Sequence, residues 1–378
     1  MVGRLALSVL AVIGVSGCGN WQRVGSEEEP EGSDAALAQM ADLAQVYRRT
    51  GRLAAGSPLP FVGSLAYAAG PVDSSLAVLG LSLENRVLSF ERAENAFIAR
   101  YRVIISFRRQ DGPPIVATRN EVVRVTSFQE TLRNDESVIF QQAFALPPGE
   151  YDLQVTVRDL SSSRQSQATS AITVPSFGPG DFSAPIVAYE VTGRAERTNP
   201  LDIMLNPRGT VAYGSDTLLA YVEGYAMPGP TALPFTVQDQ RDSVIYSDSL
   251  RFQGGAGVEG LVIRLTPDSV PLGELQLVVG AGPDPRETAA IVSLSSDWVV
   301  TNIDEIIELL RYFSHNEELA ALKEASPGQR PLMWREFYAA TDPVRATPEN
   351  EALDTYFTRL AIANQRFDNE GIAGWRTD

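Results

Sequence analysis

The hydrophobic positions along the chain change their spacing twice. Before residue 50 and after residue 300 they recur every three or four residues, whereas from Ser74 to Leu294 apolar and polar residues alternate in short runs. Alternation with a period of two is typical of half-buried strands, and the longer spacing is typical of amphipathic helices. The pattern predicts a mostly β chain with an N-terminal helix and a C-terminal α region.

Seven strand-like runs between residues 74 and 173 predict a first β-sandwich. Turn residues separate them, as at Asp111-Gly112-Pro113-Pro114 and Pro147-Pro148-Gly149. The number of short strands favours an immunoglobulin-like sandwich, and Tyr151 resembles a tyrosine corner. The predicted runs cover residues 75–83, 87–91, 97–107, 115–126, 137–144, 150–158 and 166–173.

A second sandwich is predicted after the linker Ser176-Phe177-Gly178-Pro179-Gly180. Strand-like runs resume at Ile186, although 192–214 reads as a long irregular entry. Residues 138–155 align without a gap on residues 262–279, and the matching positions suggest a tandem duplication. Convergent hairpin chemistry is the alternative explanation. The predicted units are the N-terminal helix at 34–50, sandwiches at 60–175 and 183–298, and a small helical tail domain at 301–378.

Helical spacing defines the two ends of the folded chain. Ser33 is suited to cap a helix that runs to about Arg48, and Gly51 offers a stop. After Val300, a stripe from Ile303 to Phe313 predicts one helix. Three further helices are predicted at 317–324, 331–340 and 348–367.

The start of the chain resembles a bacterial lipoprotein signal. Arg4 precedes an apolar run that ends in Val15-Ser16-Gly17-Cys18, and this run is too short to span a bilayer. The resemblance implies that residues 1–17 are removed, that Cys18 carries the lipid anchor, and that Gly19 directs the protein to the outer membrane. The acidic residues 18–33 would then form a tether. An ordinary secreted protein with a chance cysteine is the alternative.

Composition excludes several classes of function. Cys18 is the only cysteine, so disulfides within the chain and thiolate metal sites are excluded. Without Arg4, 30 basic residues face 47 acidic ones, and this balance argues against nucleic-acid binding. The single histidine, His315, cannot supply a multi-histidine metal site and is expected at a helix cap or on the surface. The sequence predicts no cofactor.

The last fifty residues carry several short motifs, among them Trp334-Arg335-Glu336-Phe337, Thr347-Pro348-Glu349-Asn350-Glu351 and Gly374-Trp375-Arg376-Thr377-Asp378. Together these motifs resemble the GWxTD domain family of bacterial exported proteins and lipoproteins. The family name describes a motif and implies no activity. The candidate residues for a binding or a structural role are Trp334, Tyr338, Asn350, Glu351, Arg359, Asn364, Trp375 and Asp378. Packing of the last helix by the tryptophans favours the structural role.

Three functional hypotheses follow. The first is a non-enzymatic envelope lipoprotein whose sandwiches bind an envelope protein or a subunit of a membrane assembly. The second is a glycan-binding or carbohydrate-active accessory protein, which needs exposed aromatic residues such as Tyr213, Tyr221 and Tyr225. The third is a carboxylate-dependent hydrolase, which needs two acidic side chains that face each other in a cleft.

Overall fold

The chain is mostly β with a C-terminal helical region, as its periodicity predicts. The structure, a computed structural model, describes residues 42–132, 137–267, 269–282, 284–295, 299, 301–344 and 350–367. Cys18, Trp375 and Asp378 lie outside these ranges, as do the predicted signal peptide, tether and first part of the N-terminal helix.

Nine strands build the first sandwich. One sheet has the order β1-β2-β3-β7, and the other has the order β4-β5-β8-β9 with β6 paired to β5. The strands are β1 Leu53–Ala55, β2 Phe61–Ala69, β3 Ser75–Glu84, β4 Glu91–Ala93, β5 Ala96–Arg108, β6 Ile115–Val125, β7 Ser137–Leu146, β8 Gly149–Asp159 and β9 Gln165–Val174. Their inward residues form one apolar core that includes Leu79, Val103 and Val155. The predicted tyrosine corner is present, since the Tyr151 hydroxyl donates to the Pro147 carbonyl over 2.8 Å.

The second sandwich repeats this plan with nine further strands. Its sheets have the orders β11-β10-β13-β16 and β12-β18-β17-β14-β15. The strands are β10 Ile186–Gly193, β11 Asp202–Leu205, β12 Thr210–Ala212, β13 Leu218–Tyr225, β14 Thr231–Gln238, β15 Val244–Phe252, β16 Val258–Leu265, β17 Gly273–Val279 and β18 Arg286–Ser293. The order β2-β3-β7 matches β10-β13-β16, and β6-β5-β8-β9 matches β15-β14-β17-β18. Both units therefore have the same seven-stranded, immunoglobulin-like arrangement.

The gapless alignment that suggested a duplication is correct for one strand pair and wrong for the other. Leu153 and Val155 of β8 occupy core positions, and so do their counterparts Leu277 and Val279 of β17. In the preceding strands, however, Val138 faces the core while its aligned partner Val262 is 40% exposed. The reason is the connection to the next strand, which has two residues in the first unit and seven, 266–272, in the second. This difference shifts the true offset and turns the aligned residues to opposite faces.

The two sandwiches pack face to face through their four-stranded sheets, β1-β2-β3-β7 and β11-β10-β13-β16. Val78 of β3 contributes to a separate buried cluster with Ile186, Leu205 and Tyr221 of the second unit. Both β3 and β13 are therefore buried on both faces, one toward their own core and one toward the other sandwich. The four sheets form a four-layer block.

Two predictions about strands of the first unit are wrong. Residues 85–87 form a 3-10 turn in place of the start of a predicted strand at 87–91, because the Leu88 amide closes back onto the Asn85 carbonyl. The sequence also missed β1 and β2. β2 lacks clean alternation because its outward face lies against the second sandwich, where Ala66 packs in the shared cluster.

The long entry to the second unit, 192–214, is more ordered than predicted. β11 pairs with β10, and β12 pairs parallel with β18. These short strands lie at the junction, where Gln141 of β7 bonds to the backbone of β11 in both directions. Its Nε2 donates to the Ile203 carbonyl over 2.8 Å, and its Oε1 accepts from the Leu205 amide over 2.9 Å.

Helices lie at the two ends of the described chain. The bounds are α1 Leu43–Arg49, α2 Ile303–Leu309, α3 Asn316–Glu324, α4 Arg330–Thr341 and α5 Glu351–Phe367. Asp42 is non-helical and caps α1, so the described helix covers only the last part of the one predicted from Asp34 to about Arg48, and the earlier part lies outside the described residues. α2, α4 and α5 pack on the core of the second sandwich through Ile306, Trp334 and Leu353. Within the described ranges no helix combines the length and apolar character needed to cross a membrane.

Candidate functional site

The predicted tail residue Trp334 is enclosed by packing and does not line a groove. Its side chain is 1% exposed, and its Nε1 donates to the Leu294 carbonyl, at the end of the second sandwich, over 3.1 Å. The indole stacks on Phe337 with ring centroids 5.6 Å apart. Trp334 thus fastens the helical region to the sandwich, which supports the structural role.

Tyr338 and Asn350 are brought together, again by structural bonds. Asn350 accepts from the Leu353 amide and so caps α5, while its Nδ2 donates to the Tyr338 carbonyl and to the Thr341 Oγ1, each over 2.7 Å. The backbone amide of Asn350 donates to the Tyr338 hydroxyl over 3.0 Å. These bonds tie the start of α5 to the end of α4.

Three further predicted tail residues lie along α5, whereas Trp375 and Asp378 fall outside the described residues. Arg359 is exposed, whereas Glu351 and Asn364 are partly buried. Asn364 Oδ1 is buried without a hydrogen-bond partner among the described atoms. His315, expected at a cap or on the surface, precedes α3 with a positive φ of 63°, and its Nδ1 lies 3.5 Å from Glu318 Oε1.

The aromatic strip required for glycan binding does not form. Tyr213, Tyr221 and Tyr225 are 6%, 1% and 0% exposed, so none of them presents a ring face to solvent. Tyr221 and Tyr225 lie instead at the junction between the sandwiches. Burial raises the pKa of both hydroxyls far above the usual range, and the nearby Glu223 carboxylate raises it further.

A buried ion pair, which the sequence analysis missed, is the centre of this junction. Arg194 Nε and Nη2 donate to Glu223 Oε1 and Oε2 over 2.9 and 2.8 Å, and the two side chains are 1% and 0% exposed. The Tyr221 and Tyr225 hydroxyls donate to the same carboxylate over 3.1 and 2.9 Å. Burial alone would lower the pKa of Arg194, but its bonds to Glu223 raise it, so the guanidinium stays charged.

This network, which we call the junction network (Arg194, Glu223, Tyr221 and Tyr225), reaches the first sandwich at Ala69, the last residue of β2. Arg194 Nη2 donates to the Ala69 carbonyl over 2.5 Å, and the Ala69 amide donates to the Tyr225 hydroxyl over 2.9 Å. The lone Glu223 within the apolar strand Leu218–Tyr225 was the available sequence signal, because a carboxylate in a buried strand must be paired.

A second charged contact joins the units near α1. Arg52 Nη2 donates to the Ala289 carbonyl of β18 over 2.6 Å, and its Nε donates to the Arg208 carbonyl over 3.3 Å. Burial lowers the pKa of the Arg52 guanidinium to about 10. Arg208 in turn lies 3.2 Å from Glu84 of the first sandwich. The junction is therefore held by charged bonds at two separate places.

An open cavity lies elsewhere, between the second sandwich and the helical region. It has a volume of about 860 Å³. Its walls come from the β14–β15 loop, the long β16–β17 connection, the start of α2 and the loop before α4, and they include Tyr213, Asp239, Arg241, Pro271, Asn302, Glu305 and Arg330. We call this the polar cleft.

Two carboxyl groups of the polar cleft have pKa values that are shifted in opposite directions. Burial raises the pKa of Glu305, and repulsion from Asp304 and Glu308 adds to the increase. The backbone amides of Ser243 and Arg241 donate to Asp239 and lower its pKa. Among the described residues no cluster of three or more His, Cys, Asp or Glu side chains is placed to hold a metal ion.

Comparison with known proteins gives distant likenesses only. No family model matches the chain, and no curated protein matches it. Similar solved structures include the BSP domain of a biofilm-associated protein, at 8% identity over 67% of this chain and 54% of that chain with a TM-score of 0.19. Dimeric latent PorU from Porphyromonas gingivalis shows 11% identity over 66% of this chain and 21% of that one, with a TM-score of 0.25. The calcium-binding domain CBD12 of CALX1.1 shows 10% identity over 68% and 87%, with a TM-score of 0.15.

The chain thus spans about half and about a fifth of the first two of these proteins. Likenesses at these TM-scores carry no information on function.

Proposed function

We propose that the protein is an envelope-anchored lipoprotein that acts as a non-enzymatic binding or scaffolding component, as an accessory subunit of a membrane-associated assembly. The observation that supports this most is the four-layer block, in which two sandwiches are fixed through a shared buried cluster. The two five-stranded sheets, one around β5 and the other around β14, then face outward in opposite directions. A body of this kind presents two surfaces at a constant distance and angle, as a scaffold requires.

The chemistry of the junction supports a rigid block. Domains within a chain move relative to one another unless their interface is large and apolar. Here apolar contacts such as Val78 with Tyr221 are reinforced by the junction network. Separation of the sandwiches would remove the Ala69 backbone from Arg194 and Tyr225 and would open the apolar cluster to water.

The anchor is proposed from the sequence. Two or three acyl chains on Cys18 would hold the protein to the membrane, because one chain alone binds only marginally. Mass spectrometry of the native protein should then give an acylated fragment that begins at Cys18. Cys18→Ser should release the protein from membranes, and an unmodified cysteine in a protein that washes off membranes would contradict this part.

In-cell cross-linking tests the scaffold proposal. A photo-reactive residue is placed at Asp152 of β8 or at the equivalent Gln276 of β17, both exposed on outer sheets, and a control is placed at the buried Val78. We expect the outer positions to capture one recurring envelope protein, and we expect a tagged copy of that protein to recover this chain. Recovery of this chain alone, from every position, would contradict the proposal.

Glycan binding is the second candidate, and the polar cleft is the observation in its favour. The cleft is lined by charged and amide groups and by Tyr213, which suits a polar ligand. A glycan array of the full chain should then show binding that Asp304→Ala weakens and that the exposed variant Arg359→Ala does not. An array without a binder would remove this candidate.

A further inference from the structure

The sixth strand of the first sandwich has an open edge. β6 pairs with β5 from Phe97–Val125 to Phe107–Ile115 without a register shift, and no strand in the described ranges pairs with its other side. Ile115, Val116 and Val122 are 40%, 56% and 63% exposed. An eleven-residue strand with an unpaired row of amides and carbonyls is a template for another strand.

β6 lacks three of the features that block such pairing, and the fourth is compatible with it. Edge strands are commonly protected by proline, by a bulge, by extreme shortness or by inward-pointing charges. The inward-pointing charges of β6, Arg119 and Glu121, have opposite signs and so can pair with each other across two copies. β6 contains no proline, its ladder with β5 is regular, and it is among the longest strands of the described chain. The strand is therefore competent to pair, and its side chains decide with what.

The sequence of β6 is complementary to itself in the antiparallel direction. When two copies are aligned about Asn120, Arg119 of each copy faces Glu121 of the other. On the same, core-facing side, Ala117 faces Val123 and Ile115 faces Val125. Directly opposed unlike charges and apolar pairs stabilise antiparallel strands, and every core-facing pair in this register is of one of these two kinds.

This register would also extend the core of each sandwich. Ala117 and Val123 already pack at the margin of the first core as half-buried side chains. Their pairing across two copies would bury the remaining apolar surface. On the outer side, the exposed Val122 would lie beside Thr118 of the other copy, and Val116 beside the arginine stem of Arg124.

We propose that two copies of this chain associate through antiparallel β6–β6 pairing about a two-fold axis at Asn120. The outer sheets of the two first sandwiches then form one continuous sheet. A two-fold interface of this kind is closed, so it stops at the dimer. The proposal does not depend on the lipid anchor or on an envelope partner.

The equivalent strand of the second sandwich is a natural control. β15 is also an edge strand, and pairing two copies about its centre would place Asp248 against Asp248. A bulge between Val237 and Gln238 interrupts its ladder with β14. Like charges directly opposite each other are destabilising, so β15 does not offer a second dimer contact.

Charge reversal tests the proposal. Glu121→Arg places two arginines opposite each other, and Arg119→Glu places two glutamates opposite each other, each twice per dimer. Full-length protein, in detergent if it is acylated, is measured by light scattering coupled to size-exclusion chromatography. Each single variant should raise the dimer dissociation constant about tenfold or more.

Two further samples test whether Arg119 of one copy pairs with Glu121 of the other. The double variant Arg119→Glu/Glu121→Arg restores unlike pairs and should dimerise as the wild type does. An equimolar mixture of the two single variants should form mixed dimers, although neither associates with itself. Arg251→Glu on β15 should leave the protein mass per particle unchanged.

Three results would overturn the proposal. They are a monomeric wild type, single variants that dimerise as well as the wild type, and a swap or mixture that fails to restore the dimer while circular dichroism shows folded protein. A dimer that no β6 variant affects would indicate another contact. If β6 pairs only with a strand of a different protein, it is a docking edge for that protein, and this result would also contradict self-pairing.

Discussion

The two sandwiches share one strand order but differ at the equivalent strands β3 and β13. The difference lies on the face that each strand turns toward the other sandwich. In β3 this face carries Leu76 and Val78 and then the small residues Gly80 and Ser82, whereas in β13 it carries Tyr221, Glu223 and Tyr225. A Cβ at Gly80 would lie 3.1 Å from the Leu205 Cβ. The small residues of β3 thus leave space for larger side chains of the second unit. The two faces are complementary in shape, and this complementarity defines one orientation of the two units.

A second difference lies in the connection before the strands β8 and β17. In the first unit this connection is the tight Pro147-Pro148 turn closed by Tyr151. In the second unit it is longer, Leu275 replaces the tyrosine, and Pro271 and Leu272 help to form the polar cleft. The two units therefore also differ at this end, where only the second contributes walls to the polar cleft.

The largest effect on stability is expected at Glu223, because β13 carries a buried carboxylate on its junction face and β3 does not. Glu223→Gln leaves the buried Arg194 without its counter-charge, and breaking a buried pair in this way costs about 3–5 kcal/mol. Denaturant unfolding measures the loss. Arg86→Ala, which removes an exposed partner of Glu84, should cost less than about 1 kcal/mol. Equal losses for the two variants would contradict the special role of the junction.

Gly80→Val tests the small face of β3. The added side chain meets Leu205 and Pro207, and overpacking of this kind costs about 1–3 kcal/mol. Limited proteolysis should show faster cleavage between the sandwiches, near residues 176–180. The same substitution at Gly56, where a Cβ meets nothing within 4 Å, is the control. A Gly80 variant as resistant as the wild type would show that the sandwiches do not pack at this point.

Tyr151→Phe tests the tight turn of the first unit. The loss of the hydroxyl removes its bond to the Pro147 carbonyl and should lower the free energy of unfolding by about 0.5–1.5 kcal/mol. Thermal unfolding measures the change. Tyr312→Phe, at a 61% exposed ring, should have no comparable effect, and a neutral Tyr151→Phe would show that the corner contributes nothing.

The smallest effect is expected for the pH dependence of Glu305 in the polar cleft. Its pKa is raised in the folded state, so the folded protein binds the proton more tightly than the unfolded chain does. Stability from this group is present below the unfolded pKa and falls as pH rises through the folded value. Glu305→Gln should therefore raise the melting temperature at pH 7 more than at pH 4. An equal shift at both pH values would contradict the raised pKa.

The sequence predicted best those elements that have one solvent-exposed face and one buried face. β5, β8 and β9 alternate along most of their length, and the stripe of Ile303 and Ile306 marks α2. β2 escaped prediction because both of its faces are covered, which removes the period of two. Glu223 gave a local signal, a lone carboxylate in an apolar strand, but its partner Arg194 lies 29 residues earlier, after the end of β10, and no local pattern identifies it.

Calorimetry of the full chain tests the four-layer block most directly. If the sandwiches form one body, they unfold in a single transition whose calorimetric and van't Hoff enthalpies agree, and Glu223→Gln separates it into two. Two independent transitions in the wild type, with the one from the first sandwich unchanged by Glu223→Gln, would contradict the account.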